Sequence, residues 1–197
     1  MPMPLSLRLA ASLAILAPLA ACNTAPAEAP LAGAKIGGDF DLVNSKGEPV
    51  RWADFNGKYR MIYFGYAYCP DICPFDMQRM MAGYKEFAAA KPELAAQVQP
   101  IFVTIDPERD TPAVIGEFTS AFSDKLLGLT GTPEQVATAA KAFAVYYKKG
   151  DVNSEGGYLM DHSKAAFLMG RQGEPIAMLP VDLGGQQVAA ELEKWVN

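Results

Sequence analysis

Tyr63-Phe64-Gly65-Tyr66-Ala67-Tyr68-Cys69-Pro70-Asp71-Ile72-Cys73-Pro74 ends an apolar run in two thiols, each followed by a proline. A proline ring pushes the residue before it away from helical geometry, so Cys69 and Cys73 are expected to be extended or turn-like and not to share a helix face. Pro74 suits the first position of a helix, where a missing amide proton costs nothing. The amphipathic run from Phe75 to Ala90 continues that helix, with Cys73 as its cap. On the N-terminal side, Gly57-Lys58 introduces a strand from Tyr59 to Gly65. Met61-Ile62-Tyr63-Phe64 is apolar on both faces, which makes this strand central in its sheet. The stretch is therefore a buried strand, a two-thiol turn and a helix. Thiols at such a turn face the positive end of the helix dipole, which favours the thiolate, the form that binds soft metals and exchanges with disulfides.

Outward from this unit the chain alternates. Val98 to Ile105 is a second continuous apolar strand, ended by Asp106-Pro107-Glu108-Arg109-Asp110. Those charges resemble a functional loop, yet a strand end followed by a capped helix explains most of them. Thr111-Pro112 opens a helix to about Phe122, with threonine as cap and proline in the first turn. Leu126 to Leu129 is a short strand, and Thr132-Pro133-Glu134 repeats the start signal for a helix to Ala144. This alternation implies a mainly parallel sheet covered on both faces. Before the central strand, Phe40 to Val43 and Glu48 to Val50 flank Asn44-Ser45-Lys46-Gly47 as a hairpin. After the last of these helices, Val145-Tyr146-Tyr147 and residues 150–157 form an exposed excursion. Ala165 to Met169 and Pro175 to Leu179 then make an antiparallel pair around Gly170-Arg171-Gln172-Gly173-Glu174, and Leu183 to Trp195 is a final helix.

The composition narrows the function classes. Half of the 197 residues are hydrophobic, enough for one ordinary core. A net charge of -5 with no basic run argues against nucleic acid or an anionic membrane surface as partner. Three cysteines are too few for a disulfide scaffold, and His162 is the sole histidine, so Cys-Cys-His is the most the strong soft ligands can supply. Residues 1–22 read as a signal segment: Arg8, an apolar run too short to span a bilayer comfortably, then Leu19-Ala20-Ala21-Cys22. That ending resembles the lipobox of bacterial lipoproteins, in which the cysteine is lipidated and becomes the first mature residue; the plainer alternative is an ordinary secretory signal. Either way the folded part leaves the cytoplasm, where a reversible Cys69–Cys73 disulfide is chemically possible. Residues 23–35, rich in Ala and Pro, read as a flexible tether, and residues 36–197 as one domain.

The order of elements, with a dithiol after the first core strand, resembles a thioredoxin-like α/β fold carrying an added N-terminal β-hairpin and an inserted strand-helix. Four segments sharpen the resemblance. Residues 63–74, Asp106-Pro107-Glu108-Arg109-Asp110-Thr111-Pro112, Leu129-Thr130-Gly131-Thr132-Pro133-Glu134 and Asp161-His162-Ser163 occur in the order seen in the Sco/SenC copper proteins. Gly170-Arg171-Gln172-Gly173 departs from the Asp-x-x-Gly turn common there, which touches a hairpin and not the site.

Cys-x-x-x-Cys differs from the Cys-x-x-Cys of a thioredoxin-like reductase, and its wider loop can present both sulfurs to one ion. A close cysteine pair in an exported protein can also be a structural disulfide, which the prolines and the strand-to-helix placement argue against. A lone histidine is more often a core or surface residue than a ligand. His162, however, precedes the strand near Ala165, where thioredoxin-like oxidoreductases generally place a proline beside their dithiol; no proline stands there in this chain. Two thiols and an imidazole suit copper in either oxidation state, and zinc fits the ligand types but usually takes a fourth. The Sco/SenC resemblance selects copper, one per chain, and carries over Cys69, Cys73 and His162 as ligands. Asp71 and Asp161 lie next to ligands and are candidates to orient them, though solvated loop carboxylates explain them equally well. Met77, Met80 and Met81, at helical spacing, read as core.

The resemblance implies a membrane-tethered protein facing the periplasm or cell exterior. It would deliver copper to, or mature, the copper centre of cytochrome c oxidase, with the oxidase's copper-accepting subunit or another copper chaperone as partner. The reading from a different class is a thiol:disulfide oxidoreductase that reduces the cysteines of a copper-accepting protein. Spacing and His162 favour binding; the fold favours exchange.

Overall fold

The computed structural model describes residues 28–197. The signal segment and Cys22 lie outside the described residues. Strand β1 (Asp41–Asn44) and strand β2 (Pro49–Arg51) form the expected hairpin, with Gly47 at φ 78° where the turn needs a left-handed residue. A 3-10 turn over Trp52–Phe55 leads to β3 (Tyr59–Gly65), every residue of which is buried. Then follow α1 (Ile72–Ala90), the short α2 (Pro92–Ala95), β4 (Val98–Thr104), α3 (Pro112–Ser120), β5 (Leu127–Thr130) and α4 (Pro133–Ala142). Thr111 caps α3 through Val114 N, and Thr132 with Gln135 forms a reciprocal capping box on α4. The chain continues through β6 (Tyr147–Lys149), β7 (Met160–His162), β8 (Ala166–Met169), β9 (Pro175–Met178) and α5 (Gly185–Trp195).

The main sheet runs β2-β1-β5-β4-β3-β8-β9, which puts β3 inside it as its sequence requires. It is mixed, not mainly parallel: of its six pairings only β3–β4 and β4–β5 are parallel. Helical crossovers join those strands, whereas the two hairpins can add only antiparallel neighbours. Strand alternation sends Tyr63 and Phe64 to opposite faces. On one face Tyr63 stacks near Phe102, which meets Phe118 of α3 at 4.9 Å between ring centres; α1 and α5 cover the rest. On the other, Phe143 at the end of α4 packs on Phe64 and Phe167 at 5.2 and 6.0 Å. Helices α1 and α5 approach so closely at Gly83 that an added Cβ would stand 2.6 Å from Gly185 O and Val188 Cβ. Met77, Met80 and Met81 are buried, as core methionines should be.

The stretch read as tether is docked at its C-terminal end. Leu31 N donates to Ile176 O at 3.0 Å, and Ala29 and Leu31 pack against the core, so packing begins before Ile36. The β8–β9 turn that departs from the family pattern is held by fully buried Arg60, which donates to Gly170 O and Asn56 Oδ1 and lies 4.5 Å from the Trp52 ring centre. Among the described residues no helix is long and apolar enough to cross a membrane.

Candidate metal centre

The cysteine loop leaves the C-terminal end of β3. Its turn is closed by Cys69 N donating to Tyr66 O at 3.2 Å, and it is tied down by Ala67 N donating to Asp110 Oδ2 at 2.9 Å. Helix α1 then starts earlier than its proline suggests: Asp71 is the cap, and Cys73 is the second helical residue. In a first turn the amides have no acceptors within the helix, so Pro74 costs nothing at the third position. The helical conformation disfavoured for Cys73 is offset by complete burial of its side chain and by its amide, which donates to Cys69 Sγ at 3.5 Å. Both cysteines carry free thiols; Cys69 is partly exposed and Cys73 fully buried.

The excursion after α4 contains a two-stranded ribbon in which β6 and β7 pair antiparallel, with Tyr147 opposite His162. This ribbon brings His162, 89 residues from Cys73 in sequence, to the cysteine loop: Nε2 stands 3.5 Å from Cys73 Sγ. The tautomer follows from its other nitrogen. Nδ1 lies 2.9 Å from Ser163 O, and a carbonyl only accepts, so Nδ1 carries the hydrogen and the Nε2 lone pair faces the sulfur. Tyr66 packs edge-on against the imidazole at 5.9 Å between ring centres.

Burial governs the protonation of this cluster. It pushes the Cys73 thiol well above its ordinary value, outweighing the Tyr66 backbone amide that acts the other way, with the Cys69 thiol adding to the rise. Burial therefore opposes the thiolate that a helix N-terminus favours. Burial likewise lowers His162, against the opposing Ser163 carbonyl, and keeps the imidazole neutral. Burial is also the first cause that pushes Tyr66 up to about 12.

Of the sequence candidates, Cys69, Cys73 and His162 meet at one end of the sheet. Asp71 and Asp161 do not join them: both are exposed, and neither carboxylate hydrogen-bonds to a ligand candidate, because the Ser163 carbonyl already orients His162. The acid beneath the site is Asp76, almost fully buried, whose Oδ2 accepts from Tyr63 OH at 2.9 Å and whose own pKa burial raises. Its signal in the sequence is a carboxylate one turn after Cys73 on the face that Met77 and Met80 share. Among the described residues no three His, Cys, Asp or Glu side chains form a ready-made cage. Two thiols and an unprotonated imidazole nitrogen nevertheless supply a donor set that fits a soft to intermediate ion.

The model of the SCO1/SenC family matches residues 28–197. SenC of Rhodobacter capsulatus is 43% identical over 141 residues, which cover 70% of this chain and 60% of that protein. The mitochondrial SCO2 homolog of Mus musculus is 42% identical over 136 residues, covering 69% of this chain and 52% of the relative. The chain thus spans about half the length of the mouse relative. The structure of Bradyrhizobium japonicum ScoI with copper bound superposes with a TM-score of 0.73 at 34% identity, over 81% of this chain and 99% of that one. With a family match that takes in every described residue and relatives above 40% identity, this chain belongs to the SCO1/SenC family.

Proposed function

We propose that the protein binds one copper ion through Cys69, Cys73 and His162 and delivers it to, or prepares, the copper centre of cytochrome c oxidase. The carrying observation is the facing pair: Cys73 Sγ and the unprotonated Nε2 of His162 stand 3.5 Å apart, with Nδ1 committed to Ser163 O. Copper, when bound, supplies a soft centre that two thiolates can hold and that an imidazole nitrogen completes in its oxidised form. Burial raises the pKa of the Cys73 thiol, so binding, which takes the thiolate, releases a proton and strengthens as pH rises. His162 needs no deprotonation, since burial keeps it neutral.

The acceptor in this reading is the copper-accepting oxidase subunit or another copper chaperone. Cys22, lipidated after removal of residues 1–21, holds the domain at a membrane so that it faces the periplasm or cell exterior. A second reading draws on the thiols themselves: partly exposed Cys69 precedes buried Cys73, an order suited to an attacking and a resolving thiol in a disulfide reductase. Oxidase assembly in cells carrying His162→Ala, Cys69→Ser or Cys73→Ser separates the two. Copper delivery predicts failure in all three. Normal assembly with His162→Ala while either cysteine variant abolishes it would put the reductase in its place.

A further inference from the structure

The ribbon that ends in His162 shares no backbone pairing with the main sheet, so its placement depends on other contacts. At its base Tyr147 pairs with His162 and Ser163 N donates to Tyr146 O, and at its other end buried Met160 pairs with Lys149. At that end Lys149 and Tyr158 meet the charged loop 106–110 that follows β4. We infer that Arg109 is a positioning residue that fastens the His162 ribbon to the cysteine loop. The inference deepens the copper-site reading and rests on it for the role of His162.

One guanidinium makes the join. Its Nε donates to Asp106 Oδ2 at 2.5 Å and its Nη1 to Tyr158 O at 2.9 Å, while its Cζ lies 3.6 Å from the Tyr158 ring centre. Asp106 accepts from Tyr158 OH on its other oxygen at 2.8 Å, closing a ring of three side chains. The rings of Tyr68 and Tyr66, at 5.2 and 5.7 Å, approach the same guanidinium from the cysteine loop. Next to it Asp110 holds the Ala67 amide of that loop. Asp106, Arg109 and Asp110, within one short loop, thus grip both halves of the site. The Asp106 side chain is 3% exposed and that of Arg109 22%, so their pair is screened far less than the outer Lys149–Glu108 pair at 42% and 59%. A lysine at 109 would keep the charge but not the planar fork that serves Asp106, the Tyr158 carbonyl and the ring at once.

The test reads the ribbon first without metal. In the reduced, metal-free protein, amide exchange is followed at Gly150, bonded to Leu159 O, and at Ser163, bonded to Tyr146 O, with the amides of β3 as reference. Arg109→Ala and Arg109→Lys should both speed exchange at the two ribbon amides by about tenfold and leave β3 unchanged. Copper titration of the same variants should then show Cu(II) affinity falling by about tenfold or more while Cu(I) affinity stays, because only the imidazole has moved away. Unchanged ribbon exchange, rescue by lysine, or equal acceleration in β3 would overturn the inference. Should Arg109→Ala not fold, Tyr158→Leu removes the ring under the guanidinium and the phenol on Asp106, and the same outcomes decide. Wild-type protein that binds no copper would overturn the copper reading instead, and the exchange result would still judge the fastening.

Discussion

Asp110 gives the site region a measurable pH signature. Its side chain is fully buried, Oδ2 accepts from Thr104 Oγ1 at 2.6 Å and from Ala67 N at 2.9 Å, and Oδ1 has no partner among the described residues. Burial, the largest cause, pushes its pKa from 3.8 up to about 6, although both hydrogen bonds oppose the rise. The sign follows from linkage. The folded state holds the proton to higher pH than the unfolded chain does, so this contribution to stability is fully present below pH 3.8 and is lost as pH rises through about 6. Each pH unit of that gap is worth about 1.36 kcal/mol, which makes the change about 3 kcal/mol. Asp110→Asn keeps an oxygen for both donors and removes the titration. Urea unfolding of reduced wild type and variant from pH 3.5 to 7, on the order of the range the linkage spans, should show the variant gaining on wild type by about 3 kcal/mol across it. A difference that stays constant with pH would refute the reasoning.

Three further outcomes follow from the packing and the site. Gly83→Ala should cost about 1–3 kcal/mol, because its Cβ meets the backbone of Gly185 and the side chain of Val188 with nowhere to go; an unchanged urea midpoint would contradict this. Joining Cys69 and Cys73 in a disulfide should abolish tight copper binding, since neither thiolate remains, and equal affinities for oxidised and reduced protein would exclude the pair as the site. Cys22→Ser should lose acyl modification and stable membrane association while the domain still folds, and mass spectrometry of a mature N-terminus that begins elsewhere would sink the lipoprotein assignment.

Local signals carried the parts of this molecule that depend on local physics. Both faces of β3 are apolar, so its central place was legible. So were the starts of α3 and α4, where threonine and proline stand together. Cys73 went the other way because tertiary burial outweighs the bias of a residue before proline. The same burial raises the pKa of its thiol, against the thiolate that a helix start favours. Residue type and resemblance point to the three ligand candidates, but not to the residues that support them. Asp106 and Tyr158 are 52 residues apart and Asp110 and Ala67 43 apart, contacts that no periodicity or cap encodes. No sequence pattern marks the ribbon, because β6 is short and mostly exposed, with glycines between it and His162. Asp71 and Asp161 adjoin ligand candidates in sequence, but the histidine donates to the carbonyl of its own neighbour Ser163.

The most direct test of the three-residue site is X-ray absorption at the copper edge on reduced protein loaded with Cu(II), wild type beside His162→Ala. The account predicts sulfur scattering from both Cys69 and Cys73 together with an imidazole nitrogen that disappears in the variant. A copper environment without sulfur, or an imidazole signal that survives His162→Ala, would contradict it.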